Sequence, residues 1–209
     1  MQAASGQMTA PVAQALLKDG TLAGEWVLDP RNSSIRLKTK VLGLVPVNGI
    51  FREVTGKGTI YPDGRVSGTV TVAAASIETK NARRDTHLRS ADFFDSANKP
   101  AITFIADGVQ LTGLGVAVTG ALTVRDCTRS LSFDAAASVR GDGEIWLDAE
   151  VYINRADFGL TWNQMGMASM NNTLAIHVVF TANDPAEVTQ GGLDQQPGLA
   201  WPGEAEGMD

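Results

Sequence analysis

A single cysteine, Cys127, stands in the 209 residues, so no intramolecular disulfide can form and no compartment can be read from a disulfide framework. No stretch approaches the roughly 18 consecutive apolar residues that a membrane-spanning helix requires. The opening, MQAASGQMTAPVAQALLKDG, has neither a basic start nor the apolar run of a signal peptide. A cytoplasmic location is the simplest expectation, with a secreted or periplasmic one if the sequence begins after a processing point. Nitrogen and sulfur ligands are scarce: His87, His177 and Cys127 are the whole supply, so no metal site is expected. Bases are absent after Arg155, while residues 183–209 carry six acids, Asp184, Glu187, Asp194, Glu204, Glu206 and Asp209. The tail therefore supplies the net charge of −6, and the body, with 17 bases and 17 acids, is neutral. A neutral body with no basic stripe excludes nucleic acid as an expected partner, because phosphate binding needs clustered Lys and Arg.

What is present is glycine, 22 residues of it, and a 44% apolar content that can build a sizeable core. Between Gly24 and Thr181 the apolar residues recur with period 2, the signature of half-buried strands in an antiparallel sheet. Ile35, Leu37, Thr39 and Val41 share one face, with Arg36, Lys38 and Lys40 on the other. A long strand is predicted over 65–76, and others around Val116–Val124, Leu131–Ala135, Ile145–Ile153 and Leu174–Phe180. Asp29-Pro30, Pro62-Asp63-Gly64 and Gly141-Asp142-Gly143 mark turns between them. Glycines on the apolar rows, such as Gly68 and Gly120, and the recurrence of short turns favour a barrel over a sandwich. With aromatics at only 6%, Val, Ile, Leu, Ala and Gly line most of the interior and leave more room than rings would.

Three segments stand outside this alternation. Thr9, Pro11 and Gly20 bracket a short amphipathic helix, expected either to pack on the outside or end of the body or to cover a cavity mouth. From Ile77 to Pro100 the pattern breaks, and Thr79 is read as the cap of a helix over Asn81 to Arg89 within a helical crossover near residues 80–95. Residues 183–209, rich in Gly, Pro, Gln and acid, are read as a tail that does not pack, with docking of Leu199 and Trp201 as the alternative. The division expected is thus 1–23, an N-terminal segment with a short helix; 24–182, a barrel domain; and 183–209, the tail.

The run Gly24-Glu25-Trp26-Val27-Leu28-Asp29-Pro30, then Gly49-Ile50-Phe51 and Ser76-Ile77-Glu78-Thr79, resembles the opening of YceI-like domains. More specific are Arg84-Asp85-Thr86-His87-Leu88-Arg89-Ser90-Ala91-Asp92-Phe93-Phe94-Asp95, Pro100-Ala101-Ile102-Thr103-Phe104, and Ile153-Asn154-Arg155-Ala156-Asp157-Phe158-Gly159-Leu160. The resemblance covers residues 24–181. It implies an all-β fold, an extended eight-stranded antiparallel lipocalin-like barrel whose interior holds a polyisoprenoid or similar amphipathic lipid for transport, storage or sequestration. The family's Thr-Val-Arg-Gly run departs here to Thr123-Val124-Arg125-Asp126, which implies a different turn.

The ligand-binding residues expected are Ile35, Leu37, Phe51, Val70, Val72, His87, Phe94, Phe104, Val118, Leu122, Phe133, Leu147, Val151, Phe158 and Ile176. No catalytic residue is expected. Ser90, His87 and Asp92 invite a hydrolytic reading, but a triad needs convergence from separate elements and an oxyanion hole. Arg84, Asp85 and His87 are read as pins of the crossover, or as contacts to a polar lipid head. Asp157 is expected to pair with Arg155 or another base, and Trp162, Met165, Met167 and Met170 to form an apolar plug or entrance. No cofactor is expected beyond a bound polyisoprenoid or other long-chain lipid. An isoprenoid or other apolar lipid is the expected partner, with a homodimer left open. The alternatives are a lipid-modifying enzyme and a structural, oligomer-forming barrel with a filled core.

Overall fold

A computed structural model describes residues 6–183 except 114, 141–142 and 164–167. The chain opens with β1 (Gly6–Gln7), α1 (Ala10–Lys18), β2 (Gly24–Leu28), β3 (Ser34–Val41), β4 (Val45–Phe51), β5 (Val54–Ile60) and β6 (Val66–Ala73). A 3-10 turn at Ala74–Ser76 leads to β7 (Ile77–Glu78) and α2 (Ala82–Arg89). There follow β8 (Ala101–Leu111), β9 (Val116–Val124), β10 (Cys127–Arg140) and β11 (Glu144–Asn154), a 3-10 turn at Arg155–Phe158, and β12 (Asn171–Ala182).

Every pairing between these strands is antiparallel, and the ring closes: β12 pairs with β11 along its length and with the start of the barrel on its other side. There it meets β2 through Phe180–Ala182 and β3 through Thr173–His177, so β2 and β3 are two halves of one long strand interrupted at Asp29–Ser33. The same holds for β4 and β5, which pair with β3 and β2 respectively. Counted in this way, eight strands run up and down in sequence order and the eighth returns to the first, which removes open edges along the wall.

The period-2 rows account for this wall. On β9 the burial alternates, with Val116, Val118, Gly120, Leu122 and Val124 buried. On β10 Leu131, Phe133, Ala135 and Ala137 point in, and Ser130, Ser132, Asp134 and Ala136 point out. Gly120 is required by backbone proximity: a Cβ there would stand 2.2 Å from the Ile105 carbonyl oxygen, beside the register shift between Ala106 and Gly108.

Some sequence expectations change. The strand predicted over 65–76 stops at Ala73, because residues 74–76 coil into a 3-10 turn whose Ser76 hydroxyl donates to the Ala73 carbonyl. The cap of α2 is Asn81, which accepts from the Arg84 amide at 3.0 Å, and not Thr79, whose hydroxyl is turned to Asp85. The segment carrying α2 joins the antiparallel neighbours β6 and β8, and so sits at one end of the barrel. The acidic tail, with Leu199 and Trp201, lies outside the described residues beyond Asn183.

Helix α1 lies at the opposite end. Its Ala13 is buried and clusters with Met8, Leu22, Trp26, Val116, Val118, Ala135, Ala137 and Ile145, and Leu16 and Leu17 pack against the same group. The Trp26 indole N–H donates to the Leu22 carbonyl at 3.0 Å, tying the chain after α1 to β2. An amphipathic helix too short to be stable alone is held by this apolar contact. A second core cluster, including Leu28, Phe51, Val72, Ile77, Phe94, Leu122, Phe158 and Leu160, occupies the α2 end.

Candidate functional site

The two core clusters do not fill the barrel. A cavity of about 590 Å³ runs between them, lined by Met8, Ala13, Leu17 and Leu22 at the α1 end and by His87, Leu88, Phe93 and Phe94 at the α2 end. This lies inside the range of roughly 300–1,000 Å³ typical of small-molecule sites. Gly58 and Gly68, directly paired across β5 and β6, carry no side chain into it, so the bore extends to the backbone there.

Fourteen of the fifteen residues expected at a ligand site border this cavity. Ile35 and Leu37 come from β3, Phe51 from β4, Val70 and Val72 from β6, Phe104 from β8, Val118 and Leu122 from β9, Phe133 from β10, Leu147 from β11 and Ile176 from β12. His87 and Phe94 come from the α2 segment, and Phe158 from the 3-10 turn after β11. Val151 is the exception. It is 3% exposed on the inner row of β11, but the cavity touches that strand at Leu147, Ala149 and Ile153 and passes Val151 by. Alternation assigns a residue to the inner face, whereas packing from other strands decides which inner residues border open volume.

Most of the polar lining gathers at the α2 end, while Lys57, Thr59, Ser67 and Thr69 of β5 and β6 border the cavity along the wall. Thr39, Thr79, Arg84, His87, Arg155, Ser169 and Asn172 all border the cavity at the α2 end. Arg155 is 6% exposed and donates to four backbone carbonyls: Ser169 at 3.0 Å, Leu160 at 2.5 Å, Trp162 at 2.8 Å and Ala168 at 3.4 Å. The expected pairing with Asp157 is not made; that carboxylate is exposed, and the guanidinium instead stitches together both arms of the loop between β11 and β12. Burial without a carboxylate partner lowers the Arg155 pKa from its ordinary value. The guanidinium carbon lies 5.5 Å from the centre of the Phe93 ring.

Above it, His87 forms the middle of an aromatic group, with ring centres 4.3 Å from Trp162 and 5.1 Å from Phe93. Its Nε2 lies 3.0 Å from the Asp92 carboxylate. The Ser90 hydroxyl donates to the His87 backbone carbonyl at 2.8 Å and not to the ring, so the three side chains do not form a nucleophile-and-base arrangement. Met165 and Met167 of the expected plug lie outside the described residues, while Trp162 borders the cavity. Thr39 Oγ1 is buried in the lining and has no hydrogen-bond partner among the described residues.

Asp85 is buried and holds the turn into α2. It accepts from the Thr79 amide at 2.9 Å and from the Thr79 hydroxyl, while Arg84 donates to that hydroxyl at 2.7 Å and to the Thr79 carbonyl at 2.9 Å. Arg89 adds a bond to the Ile77 carbonyl at 2.7 Å. Arg84 and Asp85 are thus pins, and Arg84 also reaches the cavity. Replacing Asp85 by Ala leaves a buried amide and hydroxyl unpaired and is expected to cost about 2–4 kcal/mol in urea denaturation. A loss under about 0.5 kcal/mol would mean that water replaces the carboxylate.

Sequence reading missed Trp26, Leu17, Leu22, Thr39 and Asn172 as cavity residues. The expectation of a short amphipathic helix did not single out Leu17, and Leu22 and Trp26 lie beyond that helix.

A closed, eight-stranded antiparallel barrel with an apolar bore and a polar group at one mouth defines a lipocalin-like barrel. Residues 26–182 match the YceI-like domain, and the chain belongs to the YceI-like family. Protein YceI of Shigella sonnei is 29% identical over 167 residues, covering 75% of this chain and 86% of that protein. Protein YceI of Salmonella arizonae is 29% identical over 178 residues, covering 80% and 92%. Among solved structures, Burkholderia cenocepacia BcnA superposes with a TM-score of 0.67 at 20% identity, covering 73% of this chain and 98% of BcnA. A polyisoprenoid binding domain from Saccharophagus degradans gives 0.61 at 15% identity, covering 75% and 98%. The Campylobacter jejuni YceI protein gives 0.57 at 26% identity, covering 66% and 86%.

Proposed function

We propose that this barrel binds a long-chain apolar or amphipathic lipid, of polyisoprenoid or isoprenoid-quinone type, and holds it for sequestration or transport without altering it. The observation that carries this reading is the continuous cavity of about 590 Å³, lined predominantly by apolar side chains and with most of its polar groups at one mouth. Such a bore suits a slender chain with a single polar end. Family membership supports the reading, as does the fold shared with a domain described as polyisoprenoid binding. In this reading the head of the ligand meets Arg84, His87, Arg155, Ser169 and Asn172, which border the cavity at one mouth, and the Thr39 hydroxyl, without a partner among the described residues, is one group it can satisfy. A filled, purely structural barrel is disfavoured by the cavity, and a lipid-modifying enzyme by the separation of Ser90 from the His87 ring.

Native mass spectrometry of the purified chain, followed by lipid extraction, tests the proposal. One apolar passenger per chain is expected. A chain that stays empty after incubation with isoprenoid quinones and polyprenols would overturn it.

A further inference from the structure

The tip of the hairpin between β3 and β4 is the longest exposed apolar run among the described residues. Leu42 is 62% exposed, Leu44 85% and Val45 53%. Other exposed large apolar residues, such as Val27, Ile105 and Tyr152, stand singly, which is ordinary on a protein surface. Three in one tip are not. The turn itself is costly for what it displays. Leu42 has φ 53° and Gly43 φ 69°, and the Leu44 amide donates to the Val41 carbonyl at 3.2 Å. Two positive φ values mark a type I′ turn, whose first central position favours Asn or Gly and resists a bulky side chain. Local backbone preference does not account for leucine at this position.

Charge and position complete the picture. Residues 34–52 contain four bases, Arg36, Lys38, Lys40 and Arg52, and no acid, within a chain whose net charge is −6. Lys38 pairs with Glu150 and Arg52 with Glu78; among the described residues Arg36 and Lys40 make no ion pair, although Arg36 borders the same shallow surface pocket as Asp148 and Glu150. Arg36, Lys38 and Lys40 occupy the outer row of β3 that ends at Leu42, whereas Ile35, Leu37, Thr39 and Val41 face the cavity. Lys80, Arg83 and Arg125 add exposed or half-exposed bases at the same end, against the carboxylates Asp95 and Asp157, with Asp92 paired to His87 and Asp126 paired to Lys99. The hairpin is fixed to the cavity mouth, since Val41 bridges to Ala168 and the Ser169 amide donates to the Lys40 carbonyl at 2.9 Å.

We infer that this hairpin is a docking finger for an anionic phospholipid surface, with Leu42, Leu44 and Val45 entering the headgroup region and Lys40 and Arg36 facing lipid phosphates. Apolar tip residues backed by bases are what interfacial binding uses. A second copy of the chain is the weaker occupant. Three tip side chains present far less than the roughly 800 Å² per partner of a stable protein interface, and like-charged hairpins repel. The inference rests on the lipid-carrier reading for its purpose, because docking would set the cavity mouth against the membrane. Its test does not depend on what the barrel holds.

The experiment is flotation of the full chain with vesicles of phosphatidylcholine alone and of phosphatidylcholine mixed with phosphatidylglycerol. Binding to the mixed vesicles is expected to exceed binding to neutral ones and to fall with salt. The double variant Leu42→Asn/Leu44→Ser is expected to lose on the order of tenfold or more in partitioning. Asn suits the positive φ, so its melting temperature and extracted lipid should match the parent. Lys40→Glu should weaken binding by roughly tenfold at low salt. Variants that bind as the parent does, or a parent that does not float, would overturn the inference. So would light scattering that shows a dimer abolished by the double variant. An empty barrel in a chain that still floats would count against the carrier reading alone.

Discussion

Arg155→Ala is expected to cost about 3–5 kcal/mol, the largest single loss at any side chain outside the apolar rows. The guanidinium is 6% exposed and answers four carbonyls from two arms of one loop, Leu160 and Trp162 on one side and Ala168 and Ser169 on the other. Removing it leaves these oxygens without a donor in a site where water has limited access. The loop borders the cavity mouth, so on the proposed carrier reading loss of order there should also lower the amount of lipid retained. Arg155→Lys should recover less than half of the stability, because one ammonium cannot span a planar fork of acceptors. Urea denaturation of both variants provides the measurement. A cost below about 1 kcal/mol for Ala would show that the carbonyls are solvated in the variant.

Val118→Trp is expected to abolish retention of lipid while sparing the fold. Val118 is 7% exposed, stands on the inner row of β9 opposite Phe133 and Val109, and borders the cavity near the α1 end. In a close-packed interior such an insertion is destabilising by about 1–3 kcal/mol. Beside open volume the indole can enter the bore instead, so the melting temperature should hold or rise as extracted lipid falls to a small fraction of the parent's. A severe loss of stability, with no lipid in the parent, would identify a packed core.

The contrast between these two residues shows what could be read in advance. Val118 belongs to a row of alternating apolar residues, and alternation is a local consequence of the pleat; it survives translation from sequence to structure because successive side chains must point to opposite faces. Arg155 lies where alternation ends, and its partners are backbone carbonyls up to 14 residues away. No residue type announces a carbonyl acceptor, so the charge rule suggested Asp157, which the structure leaves exposed. Asp85 was legible as a pin, but its donor, Thr79, looked like a helix cap because Ser, Thr, Asp and Asn are nearly interchangeable in that role. Asn81, two residues on, took the position.

The strand rows, the antiparallel meander, the neutral body with its acidic tail, and the apolar character of the interior lining were all legible in the residue order. These follow from composition and from a side-chain period of two, which need no knowledge of distant neighbours. That β2 and β3 share one side of β12, that α1 closes one end of the bore, and that Val151 is excluded from it emerge from the packed barrel alone. So does the failure of the inner rows to fill the barrel. The reason is that closure, end caps and empty volume depend on how eight strands meet around a ring, and no segment of the chain carries that information alone.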